Sequence, residues 1–555
     1  MLIKRIALFL FTFLMVGNTL YSQDIFKYIG EGDIAKVKEN LSNDISQLTA
    51  TNNNGEFPIH KAVQAKNMEI VEYLIEQGAD VNTKTKFDST PLQYAAFFDS
   101  FPVLQVLIEK GASVNDVNQL GASALLYSAN KGNLDNAKLL IENGADLKFV
   151  SNTQNTILHA ACDSGDDNLV TYLLQFQWDY NKTNQSNETP LYLALENGIS
   201  KSIDALMNQT NDLSATTTDG STYLHAAAKG GNKLMCEKLV ASGIDVNAET
   251  VYKQTALDLV QNENTEVVEI LKQHNAIKSN VPFHPKGEYL GQEKPGVEPA
   301  LFAPQIISTP DFNERDMTIS LDGKELYFSR APVNNVMSIM TMKETDEGWT
   351  EPTQASFMKP YNHAEACFSP DDKQMYFISN RPVSGEGPAE NWEIWFTDKT
   401  NSGWDEAQIL GEKFTGGFYP TFTSDWVMYF TDVNQDISRA YLVDAKFTNI
   451  EQLSDSVNTE AAEYNSCVAP DGSYIICTSH GWGEDYGQGD LYISFRKEDG
   501  SWTKAKNMGP KINTWAREYC PALSRDGKYF FFSSRKFGNE DIFWVSTEIF
   551  NELKP

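Results

Sequence analysis

Past position 300, five residues recur at one place in a repeated segment. Glu314, His363, Gly417, Glu463 and Glu518 each stand eight residues before the aspartate of an acidic turn (Asp322, Asp371, Asp425, Asp471, Asp526). Arg315 and Arg517 adjoin two of them, and Arg330, Arg381 and Arg535 follow the next strand. Carboxylates and an imidazole at equivalent places can exchange protons, hold a cation or cleave a glycosidic bond. Catalysis asks for a nucleophile with a placed base, or a set of metal ligands. Beyond residue 278 the only histidines are His284, His363 and His480, far apart, and no G-x-S-x-G, H-E-x-x-H or phosphate-loop motif occurs. The expectation is therefore no catalytic residue, no metal and no cofactor. The Glu and Arg positions remain as a ligand ring or as scaffold ion pairs.

The first half carries histidines of another kind. His60, His159 and His225 share one position of a 33-residue period. The same period holds Ile59, Leu92, Leu125, Leu158, Leu191, Leu224 and Leu257, with Thr or a substitute two places earlier and a small residue three places later. A fixed period without insertions predicts a solenoid, whose units bury their apolar faces only against one another. Thr90-Pro91-Leu92 and Thr189-Pro190-Leu191 read as an N-cap followed by proline in the first helical turn. Gly132, Gly165, Gly198 and Gly231 end the short helix, and a second helix such as Val71–Ile75 or Ala137–Ile141 follows.

Thr156-Ile157-Leu158-His159-Ala160-Ala161 and Thr222-Tyr223-Leu224-His225-Ala226-Ala227 resemble the T-P-L-H-x-A signature of ankyrin repeats. The resemblance spans residues 24–278, as seven repeats behind a divergent N-terminal cap. It implies that the repeated imidazole bonds backbone of the neighbouring unit, and that partners bind the hairpin tips and the concave helix face. On that basis Phe87, Asp88, Tyr252 and Lys253 at the tips, with Phe97 and Phe98 on the first helix of repeat two, are the candidate contact residues. The paired phenylalanines serve equally as core filling. Repeat seven puts Asp258 where His is usual, and repeat five lacks the closing Gly-Ala-Asp near Gln209.

Residues 279–299, rich in Pro and Gly, read as a linker. From 300 to 555 the unit is strand, tight Asp-Gly-type turn, strand, as in Ser369-Pro370-Asp371-Asp372-Lys373 and Ala469-Pro470-Asp471-Gly472-Ser473, with two further strands behind. Four short strands per unit predict an all-β propeller of five blades, or six if one copy has decayed. Phe302–Ile307 reads as a lone strand that completes the last blade beside Phe543. The units resemble the S-P-D-G-K repeats of WD-like propellers of the Tol-Pal kind in exported bacterial proteins. Glu314, Arg315, His363, Glu463, Arg517 and Glu518 would then face one mouth of the channel.

At 555 residues the chain needs more than one core. A formal charge of −30, from 45 basic and 75 acidic residues, leaves no cationic surplus for nucleic acid. Lys4 and Arg5 ahead of the apolar run Ile6–Val16 read as a signal peptide over residues 1–22, so export to the periplasm or beyond the cell is expected. No other stretch approaches membrane length, so the processed chain is not expected to be an integral membrane protein. The six cysteines lack metal or redox spacing and read as buried thiols, with Cys467–Cys477 as the one plausible cross-strand bridge. These features favour a multidomain, non-enzymatic protein-interaction scaffold of the bacterial envelope. The alternative is a carbohydrate-active propeller, a lyase or hydrolase of envelope polysaccharide, with an ankyrin docking module.

Overall fold

The computed structural model describes residues 24–261, 264–279, 284–332, 336–384, 387–401, 403–480 and 485–555. The expected signal segment lies outside them. No described helix is long and apolar enough to cross a membrane. Two compact units divide at Ser279, with Val251–Lys253 counted in the second.

The first unit is a stack of helix pairs, such as Pro58–Gln64 with Met68–Glu76, Pro91–Phe97 with Phe101–Glu109, and Ile157–Ser164 with Asp167–Leu173. The periodic row from Ile59 to Leu257 is buried throughout, at no more than 3% exposure, and runs as one apolar seam through the stack. Phe57 precedes the first helix of repeat one, and the next five first helices open on Thr or Ser: Thr90 accepts from the Gln93 amide while the Gln93 side chain returns to the Thr90 amide. Gly165 ends its helix at φ 74°, a left-handed turn that glycine adopts without a Cβ penalty. In repeat seven the first helix is reduced to turns, and Asp258 accepts from the Thr255 amide at 2.9 Å, doing for that cap what imidazole does elsewhere.

The second unit holds five antiparallel sheets, which fixes the blade number at five rather than six. Each innermost strand pairs with a second strand across the acidic turn: Phe312–Ile319, His363–Phe368, Phe418–Phe422, Glu463–Val468 and Glu518–Leu523. The ring closes where Ala300 and Leu301 pair with Trp544 and Phe543 on the outside of the last blade. The closing strand is thus Ala300–Leu301, just ahead of the expected Phe302–Ile307; Phe302 itself donates its amide to Ile542 at 2.8 Å and is wholly buried. Mixing the first and last segments of the unit in one sheet removes an exposed edge. The stretch read as linker is partly structured. Tyr289 packs on Tyr529 and Trp544 at ring separations of 5.2 and 5.4 Å, and Trp349 donates its indole N–H to Gly287. All six cysteines are free thiols.

Candidate functional site

On the helical unit, the repeated histidines face inward. Nε2 of His60, His159 and His225 meets the carbonyl oxygens of Ser89, Glu188 and Gln254 at 3.0, 3.1 and 3.2 Å, each 29 residues along. Nδ1 meets the cap amides of Phe57, Thr156 and Thr222. Gln93 occupies the same place in repeat two and donates Nε2 to Ala122, also 29 residues on. Burial pushes His60 and His159 down to about 4, so they are neutral at pH 7. These groups join one unit to the next and face no ligand.

The hairpin tips present the outer surface. Phe87 is 40% exposed, and its carbonyl accepts from the Gln119 amide of the following tip. Asp88, at φ 58°, accepts from Gln119 Nε2 at 3.1 Å, which ties the two tips together. Val117, Leu120 and Val150 on the next tips are exposed as well. Sequence reasoning passed over these three, although apolar residues inside a turn such as Val117-Asn118-Gln119-Leu120-Gly121 were the available signal. Phe97 and Phe98 are half-buried, edge to face at 5.0 Å, with Phe97 also against Tyr127 and beneath Lys131 at 4.8 Å. Tyr252 is buried at 3% exposure, so its ring offers no open surface; Lys253 is exposed.

On the propeller, the strand-leading residues are interior. Glu314, Glu463 and Glu518 are completely buried, and each accepts from both the amide and the hydroxyl of a threonine just upstream: Thr309, Thr459 and Thr514. Arg330 adds a 3.0 Å ion pair to Glu314, and Ser534 bonds Glu518 at 2.6 Å. His363 is buried, with Nε2 at the Lys359 backbone. Three of these side chains thus latch the turn that enters their own blade. Arg315 and Arg517 are half-buried, Arg517 lying over Tyr519 at 4.8 Å and Tyr464 at 5.6 Å.

A second set, of which Asp316, Glu365 and Tyr419 line the central cavity, lies two residues further along each strand. Every innermost strand carries a β-bulge there, at Arg315/Met317, Ala364/Cys367, Phe418/Thr421, Tyr464/Cys467 and Tyr519/Ala522. The residue inside each bulge has positive φ: Asp316 50°, Glu365 61°, Tyr419 58°, Asn465 51° and Cys520 51°. For residues other than glycine this conformation costs roughly 1 kcal/mol each, and Asn or Gly would bear it more easily than Glu, Tyr or Cys. The five are buried and linked around the axis. Asp316 accepts from the Glu365 amide at 3.0 Å, and Glu365 accepts from the Tyr419 amide at 2.8 Å and from Asn465 Nδ2 at 3.4 Å. Tyr419 spans to the Pro521 carbonyl at 3.1 Å. Burial, then the neighbouring Asp316 charge, pushes Glu365 well above the usual carboxylate range. Beneath the bulges a cavity of about 110 Å³ is lined by all five innermost strands, including Asp316, Glu365, Thr318, Thr421, Cys367 and Cys467.

Residues 26–118, 125–217 and 191–282 match the ankyrin-repeat family in three copies. Ankyrin repeats build the helical unit. A crystal structure of the human ASB11 ankyrin repeat domain is similar to the chain at 24% identity, covering 41% of this chain and 100% of that one, with a TM-score of 0.34. No curated protein matches the chain.

Proposed function

We propose that the chain is a non-enzymatic protein-interaction scaffold, exported by its N-terminal segment and resident in the periplasm of a bacterial envelope. In this reading its propeller is of the Tol-Pal kind. The observation that supports the reading is the row of exposed apolar side chains Phe87, Val117, Leu120 and Val150 on ankyrin tips that are hydrogen-bonded to one another. Exposed apolar residues on a stiff backbone bind at low ordering cost, because the loop is already in place before the partner arrives. The chain's net charge of −30 favours a protein partner whose contact face is apolar with a basic rim.

The test uses the full chain as bait on periplasmic extract, beside a Phe87→Ser, Leu120→Ser double variant. A partner retained by the first and lost from the second, at unchanged melting temperature, supports the reading. Equal capture by both, or none by either, overturns it. Export is tested by fractionation, in which removal of residues 1–22 must leave the protein in the cytoplasm.

A further inference from the structure

We propose that the mouth of the propeller channel binds a carboxylate carried on an apolar body, held by the guanidinium groups of Arg315 and Arg517. The inference goes beyond the scaffold reading and does not rest on it. Arg315 leads into the bulge of the first blade, and Arg517 stands just ahead of the innermost strand of the fifth, Glu518–Leu523. Tyr519 links them: Arg517 stacks over its ring at 4.8 Å, and the charge of Arg315 acts on its phenol. Nε of each arginine is closed off from solvent, whereas both outer nitrogens of Arg315 and Nη1 of Arg517 are open to it and donate to nothing among the described residues. Nη2 of Arg517 donates to the Tyr464 hydroxyl at 3.3 Å, and the side chain has no carboxylate partner among the described residues. A half-buried cation without a counter-ion is costly, and a guanidinium presents the fork that a carboxylate fits.

The charges around Tyr519 leave room for one more negative group. Glu540 is already held by Arg535, whose Nε donates to it at 3.1 Å. Asp316 Oδ2 accepts from the Glu365 amide and stands 3.6 Å from Arg315 Nε, too far for a hydrogen bond. Glu365 itself, raised by burial and then by Asp316, is neutral at pH 7. Arg315, Arg517 and Arg535 thus face only Asp316 and Glu540, so a monovalent carboxylate completes the balance where a doubly charged phosphate would exceed it. The walls are apolar. The residue just before each bulge is Arg315, Ala364, Phe418, Tyr464 or Tyr519, one from each blade. Phe418 and Tyr464 are half-buried, and Phe418 packs against the cluster that holds Tyr519. Gly489 backs the arginine: a Cβ there would meet Arg517 Cγ and the Tyr464 hydroxyl, each at 3.3 Å. An aliphatic or aromatic acid therefore lays its body on these rings while its carboxylate meets the two forks.

The experiment is calorimetric titration of the full chain at pH 7 with N-acetylphenylalanine, with its amide and with inorganic phosphate, at equal ionic strength. One saturable site is expected for the acid, with the amide and phosphate each at least about tenfold weaker. Arg315→Gln and Arg517→Gln should each weaken the acid at least about tenfold, the effect of losing a charge-assisted hydrogen bond. Lys373→Gln removes an equal charge from an exposed acidic turn at the far end of a blade, and should leave affinity within about twofold. A tetrapeptide ending in phenylalanine separates the sources of the carboxylate: tighter binding than the acid assigns the site to a chain terminus, and binding no tighter assigns it to a small organic acid. Because an arginine variant could fail to fold, thermal unfolding of the unaltered chain supplies a second reading. The acid must raise the unfolding midpoint, and the amide at the same concentration must leave it in place. Absence of saturable binding, absence of that rise, amide or phosphate bound as tightly as the acid, or affinity unmoved by both arginine variants would overturn the proposal.

Discussion

Replacing His159 by Gln separates the two things the buried imidazole does. Gln93 stands at the same repeat position and reaches the same carbonyl 29 residues on, at 2.9 Å, so the hydrogen bond to Glu188 should survive the exchange. What disappears is a group that titrates. His159 is held down to about 4 by burial, against about 6.5 in the unfolded chain. As pH falls through 6.5 the unfolded chain takes up a proton that the folded chain refuses, so stability is lost on acidification. The loss from this residue is negligible at pH 7, about 2 kcal/mol at pH 5 and about 3 kcal/mol at pH 4. Glu188, raised to about 7 by burial, responds in the opposite direction, but it is present in both proteins and cancels in their difference. The assay is urea unfolding at pH 7 and pH 5 followed by helical circular dichroism, a signal that belongs to the ankyrin unit. His159→Gln should match the unaltered chain within about 1 kcal/mol at pH 7 and exceed it by about 2 kcal/mol at pH 5. Equal acid losses in the two proteins would refute the argument, because the imidazole would then carry the same proton in both states.

His159→Ala should instead cost roughly 1–3 kcal/mol already at pH 7, since the Glu188 carbonyl and Thr156 amide lose their partner, measured by the same unfolding curves. Arg330→Ala should destabilise the propeller by roughly 1–3 kcal/mol, seen in calorimetric unfolding, because buried Glu314 keeps only its Thr309 bonds and takes up a proton, while the Ile306 and Ile307 carbonyls lose their donor. Gly230→Ala places a methyl 1.9 Å from the Leu195 carbonyl oxygen, a backbone atom that cannot swing away, so a loss of about 3 kcal/mol or failure to accumulate as folded protein is expected. Thiol titration should find all six cysteines reactive in denaturant and nearly none in the native chain.

The ankyrin unit was legible down to the imidazoles that join neighbouring repeats, and the propeller to its blade number and to closure beside Phe543, though the closing strand lies at Ala300–Leu301 rather than at Phe302–Ile307. What the sequence hid was the channel. Glu314, Glu463 and Glu518 drew attention because they recur in type, and that recurrence reflects a repeated structural task, the latch on an upstream threonine. Asp316, Glu365, Tyr419, Asn465 and Cys520 share a backbone position and no chemistry, so no comparison of residue types aligns them. Their common property, positive φ in a bulge, leaves little trace when the residue is Glu, Tyr or Cys. Tyr252 misled for a different reason: a tip residue is exposed by default in a solenoid, and its burial at 3% depends on long-range packing that periodicity does not carry.

Both units solve one physical problem, the unpaired backbone group at the seam between repeats, and they do so with a side chain borrowed from the next or previous copy. In the solenoid the span is 29 residues at His60, Gln93, His159 and His225 alike, because every unit has the same length. In the propeller the corresponding spans are 49 residues from Asp316 to the Glu365 amide and 54 from Glu365 to the Tyr419 amide, because blade loops differ in length. A constant span permits one residue type to serve every seam, which makes it visible as a repeat. A variable span leaves each seam its own geometry and therefore its own residue. That freedom lets two acidic residues occupy neighbouring seams around one cavity without the same pair being imposed on all five blades. Residues peculiar to this chain are accordingly expected where the repeat is least regular, as at Asp316 and Glu365, and shared stabilising contacts where it is most regular.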